Sequence, residues 1–442
     1  MAPVGAAVPR RGHEHLPALT YRRLTMTFPA SRRQFLKTAS AGAALAFTAT
    51  SYAKIVGANE RISLGLIGCG GRGYDAHMKG VHPYDKEQNV VFTAVSDPWK
   101  QRRERAAARV QEWYGQPARQ FVSYKDIVAL DDIDAVMIAS PDHLHCLHLE
   151  AAIKAKKDAY VEKPLAMDME TLNRVFDLVK ASSQVVQMGT QVRSFKTSAG
   201  CKKLFESGAI GKVSRIEQCR NGAKPYWYSW MQRAEAIKAE DVDWKEFLMD
   251  RPARPFDGKL LTGWYGYREF TDGPIANLGC HFIDLFNYVV GSTLPLSCVA
   301  QGGTYTWKDE GFTCPDHCQA TWIYPEGFLV SYSTNFGNSS GNVMKIYGDQ
   351  GTIDMTKWNA PTYSAAGAIK PSKLPKADTP VEAVEIPDHF LDWLLCLRNR
   401  KTTNSPIEAG YYHCVPALMG VRAMDTGKRQ VFDPQKRQIC EG

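Results

Sequence analysis

Hydrophobic positions fall into two regimes along the chain. In the first, short continuous apolar runs alternate with mixed segments of helical length. The runs are residues 62–68, 90–95 and 133–139, and a shorter one opens the strand 159–164 ahead of its charged end. Each is too short to bury itself as a helix and too uniformly apolar for a strand with one wet face, so each reads as a strand covered on both sides. Their alternation with helical segments predicts a doubly wound parallel sheet, the Rossmann arrangement, over residues 60–191. The second regime begins at residue 192. A helix over 196–207 ends at Gly208 and Gly211. Runs rich in β-branched and aromatic residues follow at 213–220, 297–307, 317–324, 327–334, 342–347 and 351–355, with turn residues between them. Strands in succession without intervening helices predict an α+β domain with a large, mostly antiparallel sheet over 192–442. Residues 360–380 are aperiodic and read as a loop, and 389–400 as an amphipathic helix.

Composition changes this picture at one end only. The 442 residues are 44% hydrophobic and 23% charged, which suits globular domains and excludes a disordered or collagenous chain. The net charge of +8 is concentrated early. Up to Ala53, Arg10, Arg11, Arg22, Arg23, Arg32, Arg33 and Lys37 stand against Glu14 alone. The remaining body is close to neutral and gives no electrostatic case for nucleic acid. Ser31-Arg32-Arg33-Gln34-Phe35-Leu36-Lys37, then a weakly apolar stretch and Ser51-Tyr52-Ala53, has the order of a twin-arginine signal peptide, expected at 1–53 with Met1 or Met26 as the start. The apolar part is far shorter than the ~20 residues that span a bilayer. The expectation is therefore a periplasmic or otherwise exported protein that uses the twin-arginine translocase and has no permanent membrane anchor. Eleven cysteines, an odd count without regular spacing, give no disulfide framework; Cys314 and Cys318 are the one close pair.

The first strand runs into Gly68-Cys69-Gly70-Gly71-Arg72-Gly73, a G-x-G-x-x-G sequence between strand and helix. Gly68 permits the tight turn, Gly70 admits a pyrophosphate, and Gly73 lets helix and strand approach. Asp97, at the end of the second strand and roughly 20 residues on, stands where a carboxylate meets the adenosine ribose. That favours NAD over NADP, although Arg102 and Arg103 lie close by. Asp97 also suits a cap for the helix that follows. The third strand delivers Ser140-Pro141-Asp142-His143-Leu144-His145 to the carboxyl edge of the sheet, where ligands bind. His143, His145, Cys146 and His148 do not share a helix face, so no metal site is expected, and His145 is read as lying beside the nicotinamide. The next strand delivers Glu162-Lys163-Pro164. An ammonium at Lys163 stabilises alkoxide developing on a substrate hydroxyl, with its pKa expected to be lowered beside a cationic nicotinamide.

The glycine motif, the Ser140-Pro141 turn with His145, and Glu162-Lys163-Pro164 together resemble the glucose–fructose oxidoreductase / inositol dehydrogenase / rhizopine-catabolism (Gfo/Idh/MocA) family. The resemblance is continuous from about Ile62 to Ile439. It implies that Ser140, Pro141, His145 and Glu162 line the cofactor and that Lys163 sits near both nicotinamide and substrate hydroxyl. Asp243-Trp-Lys-Glu-Phe-Leu ahead of Arg251-Pro-Ala-Arg-Pro-Phe256 looks like the family's long exported branch.

In the second domain, Asn277, His281 and Asp284 fall at i, i+4 and i+7, one face if helical, opposite Phe282, Leu285, Phe286 and Val289. The family has a histidine where His281 stands and an aspartate four residues earlier, a pair that relays the hydroxyl proton. Here the earlier residue is Asn277, which can orient a histidine but cannot stabilise imidazolium by charge. Tyr226, Trp227, Trp264 and Arg268, in two aromatic clusters, are the expected sugar-binding residues with Asp284. The favoured reading is an NAD(P)-dependent oxidoreductase acting on a CH–OH group of a sugar, polyol or glycoside, with a tightly bound cofactor and a homo-oligomeric state. Its rivals are a redox-neutral glycoside hydrolase or lyase with transient C3 oxidation, and a non-catalytic sugar-binding protein.

Overall fold

The computed structural model describes residues 61–231, 234–308 and 311–442. The expected leader lies outside the described residues. Six strands, β1 (Ile62–Ile67), β2 (Val90–Ser96), β3 (Arg119–Phe121), β4 (Ala135–Ile138), β5 (Asp158–Val161) and β6 (Val186–Met188), form a wholly parallel sheet. The order is β3-β2-β1-β4-β5-β6. The chain reverses direction across the sheet between β1 and β4, and a crevice opens at their carboxyl ends. The side chains of β4 and β5 are buried on both faces, as the uniform apolar runs require. Leu64 and Leu66 pack with Val110 of the helix Lys100–Tyr114 on one face. Ile67, Val136 and Ile138 pack on the other with Leu149 of His145–Lys154 and Val175 of Met169–Lys180.

Ten further strands make the second sheet: β7 (Val213–Asn221), β8 (Ser297–Gly303), β9 (His317–Ile323), β10 (Leu329–Asn335), β11 (Val343–Gly348), β12 (Gly351–Asp354), β13 (Thr362–Ser364), β14 (Thr379–Pro380), β15 (Gln430–Asp433) and β16 (Gln438–Glu441). Their order is β14-β13-β12-β11-β7-β10-β9-β8-β15-β16, antiparallel except for the β7–β10 pair. β9, β10 and β11 alternate buried and partly exposed residues, so one face meets the core and the other is open. The helices Gly279–Val290 and Ile407–Thr426 fill the covered face with Phe286, Leu285, Val415 and Met419.

Two elements depart from the expected layout. The segment read as a loop over 360–380 contains β13 and β14, which extend the sheet edge by short antiparallel pairs. The helix His389–Asn399 lies between β14 and β15 of the second sheet in the chain, yet Trp393, Leu394 and Leu397 pack into the core of the first.

Candidate active site

The glycine-rich turn is shaped by contacts that leave no room for side chains at two of its ends. Gly68 has φ +90°, and a Cβ there would lie 2.6 Å from the carbonyl oxygen of Ala139. A Cβ on Gly73 would lie 2.0 Å from the carbonyl oxygen of Gly68. Between them the turn is open: a Cβ on Gly70 first meets the Arg102 guanidinium at 3.4 Å, and one on Gly71 meets nothing within 4 Å. The helix that follows opens with a π turn over Arg72–His77, in which the Met78 amide donates to the Gly73 carbonyl, and continues as α-helix over Met78–Val81. Cys69 turns inward. Its amide donates to Asp97 Oδ2 at 2.8 Å, and its side chain is fully buried. Cys69 therefore serves the turn through its backbone, and its thiol does not face the cleft. Asp97 Oδ1 accepts from the Trp99 amide at 2.9 Å, so the carboxylate braces both the turn and the start of the following helix.

These features border a cleft of about 1200 Å³ lined by Gly68, Gly70, Gly71, Arg72, Asp97, Ser140, Pro141, His145, Glu162 and Lys163 from the first sheet's edge. Open backbone at Gly70 and Gly71, a helix start beyond them and a carboxylate at the end of β2 match the shape and charge of a dinucleotide. Ile237, Phe247 and Met249, from a segment inserted before the helix Gly279–Val290, line the same cleft. This segment is fastened to the first domain beside Asp97. Trp99 and Val242 form an antiparallel bridge, the Asp243 amide donates to the Pro98 carbonyl at 2.9 Å, and Trp99 packs with Ile237, Val242 and Phe247.

His145 is buried between the ends of two strands, with Nε2 2.8 Å from the Ser140 carbonyl oxygen and Nδ1 2.7 Å from that of Pro164. The neighbouring His148 reaches Ser140 Oγ at 3.0 Å through Nδ1, and Cys146 donates to the Leu165 carbonyl, so these side chains disperse to separate partners. Cys314 and Cys318 are both free thiols. Glu162 is buried, and its Oε1 is 2.8 Å from His77 Nε2, 2.9 Å from Gln191 Nε2 and 3.6 Å from Arg72 Nε. Burial by itself would raise the Glu162 carboxyl, but Arg72, His77 and Lys163 hold it well below the usual carboxylate range. Gly189 leaves the space, since a Cβ there would lie 2.7 Å from the Glu162 carboxyl carbon.

Lys163 is buried. Its Nζ donates to the Asn277 carbonyl at 3.1 Å and faces Asn277 Oδ1 at 3.4 Å. Burial by itself would lower its pKa, yet Tyr265, Cys280, Glu162 and Asp142 outweigh that and raise it. In the protein alone the lowered pKa expected from the sequence is therefore reversed, because Tyr265 and Cys280, with the two carboxylates, surround the ammonium. The Asn277 amide also accepts from Tyr226 Oη at 3.2 Å and donates to Asp142 Oδ2 at 2.7 Å. Among the described residues its side chain pairs with Lys163, Tyr226, Tyr265 and Asp142 and not with His281, which corrects the expectation that Asn277 orients the histidine. His281 lies on the next helix with Nδ1 unbonded among the described residues. Burial and the Lys163 charge push its pKa well down, so it is neutral.

The expected substrate residues separate. Asp284 is 2% exposed and holds Arg193 through two bonds, Nε–Oδ2 at 2.9 Å and Nη2–Oδ1 at 2.5 Å. It is committed to that pair and does not present a carboxylate to a ligand. Trp227 is 1% exposed and packs with Cys314 and Phe336, and Arg268 is drawn away to Asp425 at 2.7 Å. Trp264 lines the cleft, and so do Trp230 and Tyr265, further members of the same two aromatic clusters. Tyr226 stands beside them, with ring centroids 5.6 Å from Trp230 and 5.5 Å from Tyr265. Asp142 was missed. Its only signal was its place at the carboxyl end of β4.

Residues 62–190 match the oxidoreductase family, NAD-binding Rossmann fold, of Gfo/Idh/MocA, and residues 246–354 match a Gfo/Idh/MocA C-terminal domain. Inositol 2-dehydrogenase 4 of Saccharopolyspora erythraea is 32% identical over 358 residues, 74% of this chain and 98% of that protein. Inositol 2-dehydrogenase 3 of the same organism is 30% identical over 192 residues, 43% of this chain and 54% of that protein, so this match spans about half of the relative's length. Among solved structures, a levoglucosan dehydrogenase in complex with NADH and levoglucosan superposes with a TM-score of 0.62 at 18% identity, covering 84% of this chain and 99% of that one, a likeness of fold. With the parallel sheet, the glycine turn and a near-full-length relative at this identity, the chain belongs to the Gfo/Idh/MocA oxidoreductase family.

Proposed function

We propose that this protein oxidises a secondary CH–OH of a cyclic polyol or sugar, using NAD or NADP held in the cleft. The observation that carries this reading is the buried Lys163 ammonium at the carboxyl edge of the sheet, beside the open glycine turn and flanked by Asn277, Glu162 and Tyr265. Inositol and levoglucosan, named in the relative and the structural neighbour above, are both ring compounds with secondary hydroxyls. The bound nicotinamide would accept the hydride from the carbinol carbon. Lys163 stays protonated and offers hydrogen bonds to the developing alkoxide. His281, neutral and with Nδ1 unbonded among the described residues, is the candidate proton acceptor, a weak base while burial and the Lys163 charge hold its pKa down. Glu162 keeps the ammonium charged, and Trp264, Trp230 and Tyr265 offer apolar faces to a sugar ring.

The segment bolted over Trp99 supports a cofactor that leaves slowly. A retained cofactor also suits the second reading, redox-neutral cleavage of a glycoside through transient oxidation, and fits our proposal that the chain is exported folded by the twin-arginine route with the cofactor inside. Absorbance and mass spectra of the purified protein are expected to reveal co-purified NAD(H) or NADP(H). Incubation with inositol, levoglucosan and a panel of aryl glycosides then separates the readings. Stoichiometric NAD(P)H with an oxidised polyol supports the dehydrogenase, and aglycone release without net NAD(P)H replaces it with the glycoside reading. Neither product, with a protein that does not bind dinucleotide, refutes both.

A further inference from the structure

We propose that Asp142 is a positioning residue for Lys163, supplying from the first domain, through Asn277, the carboxylate that position 277 lacks. The geometry is a continuous chain of hydrogen bonds. Asp142 is 2% exposed, in the turn that follows β4. Its Oδ2 accepts from Thr271 Oγ1 at 2.6 Å and from Asn277 Nδ2 at 2.7 Å. An amide has one donor end and one acceptor end. With the donor end bound to a carboxylate, Oδ1 is obliged to face Lys163 Nζ at 3.4 Å and Tyr226 Oη at 3.2 Å. The flipped amide would set its NH₂ against an ammonium and its oxygen against a carboxylate, so Asp142 selects the orientation that holds Lys163.

The pair spans the two domains, since Asp142 belongs to the first and Asn277 to the second. The titratable groups that face this chain are Glu162, Arg72, His145, Tyr226, Tyr265, Asp272, Cys280, His281, Cys314, His413 and Cys414. Burial raises the Asp142 carboxyl, and His145, Lys163, Thr271 and Asn277 oppose that rise. Asp142 is in turn one of the groups that raise Lys163.

The turnover arm of the test rests on the reaction proposed above; the titration arm does not. Asp142→Asn preserves an oxygen able to accept from both Thr271 and Asn277 and removes only the charge. The swap Asp142→Asn with Asn277→Asp returns the charge one step along the same chain. The full-length protein is labelled at lysine Cε with ¹³C, and Lys163 is assigned with Lys163→Arg. Asp142→Asn is expected to lower the Lys163 titration midpoint by about one pH unit. It should also lower kcat by roughly tenfold, with KM changed less than about threefold and the pH–rate profile moved the same way. Turnover is read as NAD(P)H formation with whichever of inositol or levoglucosan the wild type oxidises. The swap should bring the titration back to the wild-type midpoint or above it, because its carboxylate faces Lys163 directly, and should restore most of the turnover. A wild-type Lys163 titration in Asp142→Asn, or a swap whose midpoint stays below wild type, overturns the proposal. If Asp142→Asn does not fold, the swap alone decides, by whether its midpoint lies at or above wild type or falls below it. If wild type oxidises neither compound while the titration moves as expected, the failure falls on the proposed reaction and the placement of Asp142 stands.

Discussion

Gly70 and Gly73 lie three residues apart in one turn, and the structure assigns them opposite kinds of work, so alanine at each should give opposite results. At Gly73 a Cβ would sit 2.0 Å from the Gly68 carbonyl oxygen, and ordinary contact begins near 3.4 Å. The helix would have to move away from β1 by more than an ångström. The Gly68 backbone cannot retreat, because a Cβ on it would already lie 2.6 Å from the Ala139 carbonyl. Overpacking of this kind costs about 1–3 kcal/mol, and backbone meeting backbone places it at the upper end. For a body of this size each kcal/mol lowers Tm by roughly 2–4 °C or less, so Gly73→Ala should melt several degrees early. At Gly70 the first atom met is the Arg102 guanidinium at 3.4 Å, the end of a flexible side chain. Gly70→Ala should melt as wild type. Its methyl would instead enter the space left for the pyrophosphate. A penalty of about 1.4–2.8 kcal/mol there is a 10- to 100-fold rise in Kd. Thermal unfolding of nucleotide-stripped protein and titration calorimetry with NAD measure the two effects separately. The reasoning fails if Gly70→Ala binds NAD like wild type, or if it loses as much Tm as Gly73→Ala.

Lys163→Ala should reduce kcat by ~10²-fold or more while leaving NAD affinity nearly unchanged, since the ammonium acts on charge that develops only in the reaction; near-native kcat would remove it from the chemistry. Asp284→Ala should cost about 3–5 kcal/mol in urea unfolding by stranding Arg193, whereas Asp284→Leu with Arg193→Met should cost clearly less, and equal losses would mean that the pair does not act as a unit. His148, His389 and His413 are buried and pushed down to about 3, so they stay neutral in the folded state. The unfolded chain takes up protons below its own pKa near 6.5, so stability is lost as pH falls from there toward 3, by about 2 kcal/mol per histidine at pH 5. Denaturant midpoints that stay level between pH 7 and 5 would contradict this. Replacing Arg32 and Arg33 by lysine should leave the protein in the cytoplasm, checked by fractionation, and unchanged export would end the twin-arginine reading.

Much of the fold could be read from local pattern. A strand buried on both faces must be apolar throughout, so β1, β2, β4 and β5 stand out in the sequence, and the G-x-G-x-x-G turn carries its own geometry in six neighbouring residues. The strands of the second sheet were visible for the complementary reason, that one covered face imposes alternation. The helix Ile407–Thr426 was not read. It contains Gly410, Pro416 and Gly420 and is buried around most of its girth, so propensity and amphipathic period both fall silent. Its glycines answer to contacts: a Cβ at 420 would meet Ile275 at 2.9 Å and one at 410 would meet Met188 at 2.8 Å. The site divides in the same way. Lys163 and the glycine turn lie at strand ends, where the chain's own order places them. The direction in which Asn277 and Asp284 point was decided by partners far off in sequence. Asn277 and Asp142 are 135 residues apart, and Asp284 and Arg193 are 91 apart. Helical spacing puts side chains on a common face, but which buried charge claims each one is settled only by tertiary packing, within the second domain for Asp284 and between the two domains for Asn277, because the cost of leaving such a group unpaired exists only once water has been excluded.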